Sequence, residues 1–188
     1  MITISGLHIL QPLNSGRLQL KNRVVFPAHQ TLLSEDGVIG PRMRAYYAER
    51  AKGGVAAVIV EGGAVHDTTV KFPNYLWGHR EEIIPSYRAL QKELSQYGCK
   101  TIIQLVHSGG RMSSHDSRLP LWAPSDVRSA ISPEIPHAMT SKEISEVLDG
   151  YEKSFQNAVD GGVDGIEIHA AHEYLLGQFL SPLNKYFK

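Results

Sequence analysis

Apolar residues occur along this 188-residue chain in four short runs, each followed by a stretch whose apolar positions recur with helical spacing. Short runs rich in β-branched residues are typical of strands buried in a parallel sheet. The runs span residues 23–28, 55–61, 100–106 and 163–169. The pattern therefore predicts four strands, each followed by a helix.

The stretches between the runs carry signals for the start and end of helices. Thr140 stands before the third stretch and Glu143 follows three residues later, which is the pattern of a capping box. Gly53, Gly98 and Gly161 follow the first three stretches, and glycine commonly terminates a helix. The predicted helices span residues 42–52, 81–97 and 142–160, with a last helix or turn at 175–180.

Alternating strands and helices indicate a parallel sheet with right-handed crossovers. Two architectures satisfy this order: an open doubly wound sheet, or part of an eight-stranded barrel, which when complete takes about 250 residues. Periodicity does not choose between them. Residues 1–20 do not fit a strand–helix unit, and the apolar pairs on either side of Asn14-Ser15-Gly16 predict a hairpin that would plug the bottom of a barrel.

Composition narrows the class of protein. The chain has 19 basic and 19 acidic residues, a balance that argues against a general attraction to nucleic acid or anionic membranes. Cys99 is the single cysteine, so an internal disulfide is excluded. Residues 1–5 do not resemble a signal peptide, and the apolar stretch 55–60 is far shorter than the roughly 20 residues of a membrane helix. We expect a soluble, cytoplasmic protein with no nucleic-acid or membrane partner.

The carboxyl ends of the predicted strands carry the candidate chemistry, because ligands of parallel α/β folds bind at that edge. Glycines let a planar ligand approach the backbone, and a glutamine both donates and accepts hydrogen bonds. Histidine can hold an oxygen anion, and tyrosine can donate a proton. The candidates at the four strand ends are Pro27, Ala28 and His29, then Gly62, then Gln104, and finally His169, His172 and Tyr174.

Each candidate also has a structural interpretation. A strand-end glutamine such as Gln104 is more often structural, and His169 and His172 can be buried histidines with satisfied hydrogen bonds. The His-x-x-His spacing can also chelate a metal. The acidic residues near the strand ends, which keep that option open, are Glu61, Glu167 and Glu173. The chain has neither a G-x-G-x-x-G dinucleotide motif nor a G-x-S-x-G nucleophile motif.

Several segments, in the same order, resemble motifs of the Old Yellow Enzyme family, in particular its bacterial ene-reductase and 2,4-dienoyl-CoA reductase branches. The segment 166–176, IEIHAAHEYLL, is the most specific, and FLSP follows it at 179–182. The other matching segments are LKNRVV at 20–25, YYAERA at 46–51, VEGGAV at 60–65, QLVHSG at 104–109 and WAPS at 122–125.

The resemblance implies an FMN-binding TIM barrel that takes electrons from NADH or NADPH and reduces an activated alkene. By position, Pro27, Ala28 and His29 would lie along the flavin, Gly62 near its edge, and Gln104 would bond its pyrimidine ring. The resemblance assigns the substrate oxygen to His169 and His172, and proton donation to Tyr174. No metal is implied.

The resemblance also implies that residues 1–188 form one partial domain, the N-terminal half of a TIM barrel. Residues 1–20 would be the hairpin cap and residues 21–188 the first four βα units. The family's later units supply a flavin-contacting arginine and the phosphate site, and one cysteine cannot build the iron–sulfur cluster of some branches.

The chain departs from the family's pattern in four places. His29 stands where many relatives carry Cys or Thr, Glu173 replaces the usual Gly before Tyr174, one extra glycine precedes Arg111, and residues 185–188 diverge.

Three functions follow from these observations. The first is an FMN-dependent NAD(P)H oxidoreductase that reduces an enone or enoate. The second is a non-catalytic half-barrel, truncated or needing a partner chain, which would self-associate through its open sheet edges. The third, favoured only by the His-x-x-His spacing, is a metal-dependent barrel hydrolase.

Overall fold

The computed structural model describes residues 7–69, 72 and 74–183 of the chain. The first six residues of the predicted cap, Asn184 and the divergent segment 185–188 therefore lie outside the described residues. Single turns of 3-10 helix lie at His8–Leu10, Glu81–Ile83 and Gly109–Arg111. The strands and α-helices, in chain order, are β1 Leu13–Ser15, β2 Leu18–Leu20, β3 Val25–Phe26, α1 Pro41–Lys52, β4 Ala57–Ala64, α2 Ile84–Ser95, β5 Lys100–Val106, α3 Ser114–Ser117, β6 Trp122–Ala123, β7 His137–Ala138, α4 Ser141–Asp160, β8 Gly165–Ile168 and α5 Leu175–Leu180.

Strands β3, β4, β5 and β8 form one parallel sheet in that order. Phe26 aligns with Val58, and Ile103 aligns with both Val60 and Ile166. Because the strand order follows the chain without reversal, right-handed crossovers place the connecting helices α1, α2 and α4 on the same face. Helix α2 accordingly packs beside α1 on one side and α4 on the other. A doubly wound sheet needs a reversal of strand order, so the arrangement is that of a barrel wall.

The predicted N-terminal hairpin is present as the antiparallel pair β1–β2. Leu20 is buried against Ala56 and Ala57 at the amino end of β4, and Leu13 and Leu18 pack on the same cluster. The hairpin therefore closes the amino edge of the sheet, opposite the edge that carries the candidate chemistry.

Some predicted bounds were wrong by a few residues. The first strand has two residues because Pro27 has no N–H for a ladder. The second continues to Ala64, because after a register shift beyond Val60 it pairs with β5 again, Gly63 with Leu105 and Ala64 with Val106. The helix predicted to begin at residue 81 begins at Ile84, since Pro85 cannot donate to residue 81 in an α-helix. The chain also forms the short strands β6 and β7, which the pattern did not predict.

The main core lies between the sheet and helices α1 and α2. Met43, Tyr47, Tyr87 and Leu90 have no exposed surface. Tyr47 is buried without loss of hydrogen bonding because its Oη accepts from the backbone N–H of Glu61 at 3.0 Å. We call this part, α1 and α2 packed on β4 and β5, the closed wall.

Helix α4 begins with the predicted capping box, in which Thr140 Oγ1 accepts from the N–H of Glu143. Gly150 lies in its middle, where glycine costs about 1 kcal/mol relative to alanine. A Cβ at that position would clash with the carbonyl oxygen of Val65. The glycine therefore lets α4 approach the end of β4 closely.

Beyond α4 the apolar side chains lack a cover among the described residues. Leu148 of α4 is 59% exposed and Ile168 of β8 is 56% exposed. Two adjoining concavities of about 640 and 450 Å³ share Leu148, Tyr151 and Leu176. We call this surface of α4, β8 and α5 the open wall.

None of the described helices is long and apolar enough to cross a membrane.

Candidate active site at the carboxyl edge

Seven of the eight predicted site residues line a single cavity of about 200 Å³ at the carboxyl edge of the sheet. Pro27 precedes this group and is not part of the lining. Three further lining residues, Gln30, Tyr75 and Val106, were not among the predicted site residues. The predicted residues that the structure brings together here are Ala28, His29, Gly62, Gln104, His169, His172 and Tyr174.

Strands β4 and β5 form the floor of the cavity. A Cβ on Gly62 would lie 2.7 Å from Val106 Cγ1 and 3.3 Å from Gln104 Oε1. The first distance is too short for a Cβ and the second is tight, so a side chain at position 62 would displace Val106 and cover this surface. The floor can therefore receive the face or edge of a planar ligand, with the Gln104 amide beside it.

Gln104 is paired with a carboxylate on the neighbouring strand. Its Nε2 donates to Glu167 Oε1 at 2.6 Å, and the two residues are aligned in the register of β5 and β8. This pairing was not predicted, because it requires knowing which strands are neighbours. It gives Glu167 a partner from within the site.

A second carboxylate holds the loop that covers the cavity. Glu61, buried within β4, accepts from Gln30 Nε2 at 3.2 Å and from the N–H of Thr31 at 2.5 Å. Burial raises the pKa of Glu61, and the hydrogen bonds from Thr31 partly counteract that rise. Glu61 therefore anchors the segment that follows His29.

His169 and His172 form a hydrogen-bonded pair, with 3.1 Å between His169 Nε2 and His172 Nδ1. The N–H of Ala171 donates to His169 Nδ1 at 3.2 Å, so that nitrogen is an acceptor. A neutral His169 then carries its proton on Nε2 and donates to His172, which leaves His172 Nε2–H free. Burial lowers the pKa of His169, and neighbouring His172 lowers it further, which favours this neutral form.

Tyr174 packs against both imidazoles. Its ring centroid lies 4.7 Å from that of His169 and 6.1 Å from that of His172, edge-to-face in each case. The Arg111 guanidinium lies 5.5 Å from the Tyr174 ring centroid. The phenol and the histidine pair therefore form one cluster at the start of α5.

The turn that carries this cluster has a strained backbone. His172 and Glu173 both have φ of +57°, in the left-handed region that favours glycine. Two contacts hold the turn: Ser129 Oγ donates to Glu173 Oε2 at 2.9 Å, and Gln178 Nε2 donates to Glu173 O at 2.8 Å. The carboxylate of Glu173, which stands where the family usually has glycine, therefore accepts a hydrogen bond from Ser129.

Tyr75 is the main lining residue that sequence reasoning missed. It lies in the long loop after β4, and burial raises its pKa, with Tyr174 the next contributor. The available signal was a tyrosine in a loop at the carboxyl end of a strand. Tyr75 gives the cavity a second phenol.

His107 lies outside the cavity and is fully buried. Its Nδ1 accepts from the N–H of Gly109, and its Nε2 lies 2.9 Å from Thr68 Oγ1. Burial lowers the pKa of His107 to about 3, so it is neutral at physiological pH. These contacts indicate that His107 supports the loop after β5.

Across residues 7–69 and 74–183, no group of three or more His, Cys, Asp or Glu could hold a metal ion.

A singly wound parallel sheet, closed by a hairpin at its amino edge and carrying a polar cavity at its carboxyl edge, defines a (βα)8-barrel enzyme class. The NADH:flavin oxidoreductase / NADH oxidase family matches residues 8–185, and the chain belongs to that family. The family uses FMN, with NAD(P)H as reductant. The resemblance to Old Yellow Enzymes is thereby confirmed.

Individual relatives agree with this assignment. A probable N-methylproline demethylase of Rhizobium meliloti is 35% identical over 93% of the chain. A multifunctional alkene reductase/demethylase of Caballeronia cordobensis is 31% identical over 97% of the chain. The chain spans 26% and 27% of these two proteins.

A solved structure confirms the fold class. The Old Yellow Enzyme from Pichia superposes with a TM-score of 0.85 at 24% identity, and the match covers 97% of this chain and 51% of that one. The described sheet therefore corresponds to half of a TIM barrel.

Proposed function

We propose that this chain forms the flavin and substrate side of an FMN-dependent NAD(P)H oxidoreductase that reduces activated alkenes of the enone or enoate type. The observation that carries the proposal is the convergence of seven candidate residues from four strand ends on one cavity. Membership of a family that uses FMN and NAD(P)H supports the same chemistry.

The cavity floor suits the isoalloxazine ring of FMN. Gly62 leaves no side chain between the backbone and a planar ligand, and the Gln104 amide is within reach of a ring edge. Ala28 and His29 would lie along the ring, with Pro27 immediately before them. When bound, FMN would supply hydride transfer, which no side chain of the protein can perform.

Residues of the chain itself would bind the alkene and donate the proton that completes its reduction. Hydride addition leaves negative charge on the carbonyl oxygen, and His172 Nε2–H is free to donate to it. His169 would become a second donor by turning away from His172. Loss of one such donor typically costs about 10²–10³ in rate. Tyr174, packed on both imidazoles, would protonate the other carbon.

The test is titration of the purified chain with FMN, followed by anaerobic reaction with NADPH and cyclohexenone. Quenching of flavin fluorescence and alkene reduction are expected. Tyr174→Phe should slow the enone step at least tenfold while leaving flavin reduction by NADPH unchanged. Tyr97→Phe, an exposed tyrosine after α2, is the matched control. Equal slowing of both steps would contradict the proton-donor role.

A second candidate reaction is the oxidation of an N-methyl amine. Relatives of this chain are described as demethylases. The Tyr75 and Tyr174 rings, with Glu167 behind Gln104, offer the aromatic faces and negative charge that stabilise an ammonium group. Flavin reduction by N-methylproline or sarcosine without NADPH would favour this reaction over alkene reduction.

We also propose that further βα units of the same barrel type cover the open wall, supplied by the same polypeptide or by a complementing chain. The exposed apolar surface of Leu148 and Ile168 supports this, as does the match to half of a complete barrel. The chain should self-associate when purified alone and become monodisperse when coexpressed with the second half of a relative. A chain that is monomeric when purified alone, with light scattering unchanged by the second half of a relative, would contradict this proposal.

A cytoplasmic location is our remaining proposal. Cys99 is a free, buried thiol, and burial raises its pKa to about 11, which makes it unreactive. A chain whose single cysteine is a free thiol suits a reducing compartment. Cell fractionation of a tagged chain tests the location.

A further inference from the structure

We propose that Glu167 is a positioning residue that fixes the side-chain amide of Gln104, so that Gln104 Oε1 faces the cavity and selects a ligand presenting an N–H. The identity of that ligand as a flavin rests on the proposed function. The orientation of the amide rests only on this chain's own residues.

The sheet register brings the two side chains together. Gln104 in β5 and Glu167 in β8 are aligned partners on adjacent parallel strands, so their side chains project from the same face. Gln104 Nε2 and Glu167 Oε1 are 2.6 Å apart, the short separation of a charge-assisted hydrogen bond. The strands hold both residues in place, so the contact does not depend on a flexible loop.

The chemistry of the pair permits one amide orientation. An ionised carboxylate has only acceptors, so the amide must turn its NH₂ group toward Glu167. A flipped amide would place its oxygen against the carboxylate oxygen and lose the hydrogen bond. The amide oxygen therefore points the other way, and it is Gln104 Oε1 that lies 3.3 Å from where a Gly62 Cβ would be.

This orientation defines the ligand edge that the floor accepts. Gln104 Oε1 is an acceptor beside the glycine floor, so a ligand needs an N–H at that point. The pyrimidine ring of a flavin carries one such group, N3–H, between two carbonyls. A ligand with a methyl group on that nitrogen leaves Oε1 unpaired and adds bulk against it.

The test compares the binding of FMN and N3-methyl-FMN by fluorescence titration. The full chain should prefer FMN by about 10–100-fold, the effect of one lost hydrogen bond to a buried acceptor. In Glu167→Gln the preference should fall to about threefold, because the amide that replaces the carboxylate can both donate and accept and so tolerates either orientation of Gln104. Glu146→Gln, on α4 away from the cavity, should keep the preference of the unmodified chain. The same preference in Glu167→Gln as in the unmodified chain would overturn the proposal.

A second measurement needs no ligand. The side-chain amide signals of Gln104 in ¹H–¹⁵N spectra, assigned by their loss in Gln104→Leu, should move in Glu167→Gln and stay in place in Glu146→Gln, with circular dichroism as the check on folding. Glu167→Asp replaces Glu167→Gln if the latter unfolds, since its shorter side chain withdraws the carboxylate. Gln104 amide signals that are the same in Glu167→Gln as in the unmodified chain would overturn the proposal. Signals that move in this way in a chain that binds no FMN would refute the proposed function alone.

Discussion

The closed wall and the open wall are built from the same pattern of amphipathic helix and apolar strand, yet they differ in what covers their apolar side chains. Leu90 of α2 has no exposed surface, whereas Leu148 of α4 is 59% exposed. The difference does not lie in the helices themselves, because both have an apolar stripe at helical spacing. It lies in the neighbours, since α2 packs between the long helices α1 and α4, whereas the second helix that α4 contacts among the described residues is the short α5.

The candidate site crosses the boundary between the two walls. Gly62 and Gln104, on β4 and β5, belong to the closed wall. His169, His172 and Tyr174 follow β8 in the open wall. The proposed flavin floor is therefore built on the better-packed part, and the proposed substrate side on the less supported part. This comparison can be tested by mutations that affect one wall and leave the other unchanged.

The largest expected effect is the loss of core packing in the closed wall. Leu90→Ala should lower the free energy of unfolding by about 2–5 kcal/mol, because it leaves a cavity among fully buried neighbours. Leu148→Ala, the same change on the open wall, should cost less than about 1 kcal/mol. Urea unfolding followed by circular dichroism measures both. Equal losses would show that the open wall is already covered in solution.

The junction of the walls should be sensitive to acid through His107, whose backbone oxygen accepts from the N–H of Leu175 at the start of α5. The pKa of His107 is lowered by burial from 6.5 to about 3, so the unfolded chain binds a proton first. Stability should therefore fall by about 1.4 kcal/mol for each pH unit below 6.5, down to the folded pKa.

The pH dependence of His107→Gln provides the comparison for that prediction. Its free energy of unfolding, measured between about pH 7 and pH 4, should decline less steeply than that of the unmodified chain. Parallel curves for the two proteins would mean that His107 is exposed to water.

A smaller effect is expected from the cap of α4, the helix that frames the open wall. Thr140→Ala removes the side-chain acceptor of the capping box and should cost about 1 kcal/mol. Ser141→Ala, one residue further on, should change stability by less than about 0.5 kcal/mol. Thermal unfolding of the two variants distinguishes them, and equal shifts would argue against the cap.

The smallest effect concerns the strained turn on the open wall. Glu173→Gly should raise stability by about 0.5 kcal/mol, because glycine adopts a φ of +57° freely and this gain exceeds the loss of the Ser129 contact. Glu146→Gly in α4 should instead lower it by about 1 kcal/mol. The free energy of unfolding should rise in Glu173→Gly and fall in Glu146→Gly. A fall in both variants would show that the Ser129 contact stabilises the turn by more than the strained backbone destabilises it.

Sequence reasoning was most successful where the signal is local. The capping box of α4 and the ends of α1 were predicted to within a residue, because caps and periodicity depend on neighbours in the chain. Seven of the eight residues predicted at strand ends line one cavity, since parallel strands bring their carboxyl ends to one edge. The contact of Glu61 with Thr31 was missed because those residues are 30 positions apart.

The sequence by itself determined the order of elements, the amino-edge hairpin, the family and the set of residues at the carboxyl edge, because each depends on short-range patterns or on motifs within single segments. Only the tertiary structure decided that the connecting helices α1, α2 and α4 lie on one face and that Glu167 pairs with Gln104. It also decided that His169 donates to His172 and that one wall is buried while the other is exposed. These features depend on which strands and helices become neighbours in space, and packing between segments that are distant in the chain determines those neighbours.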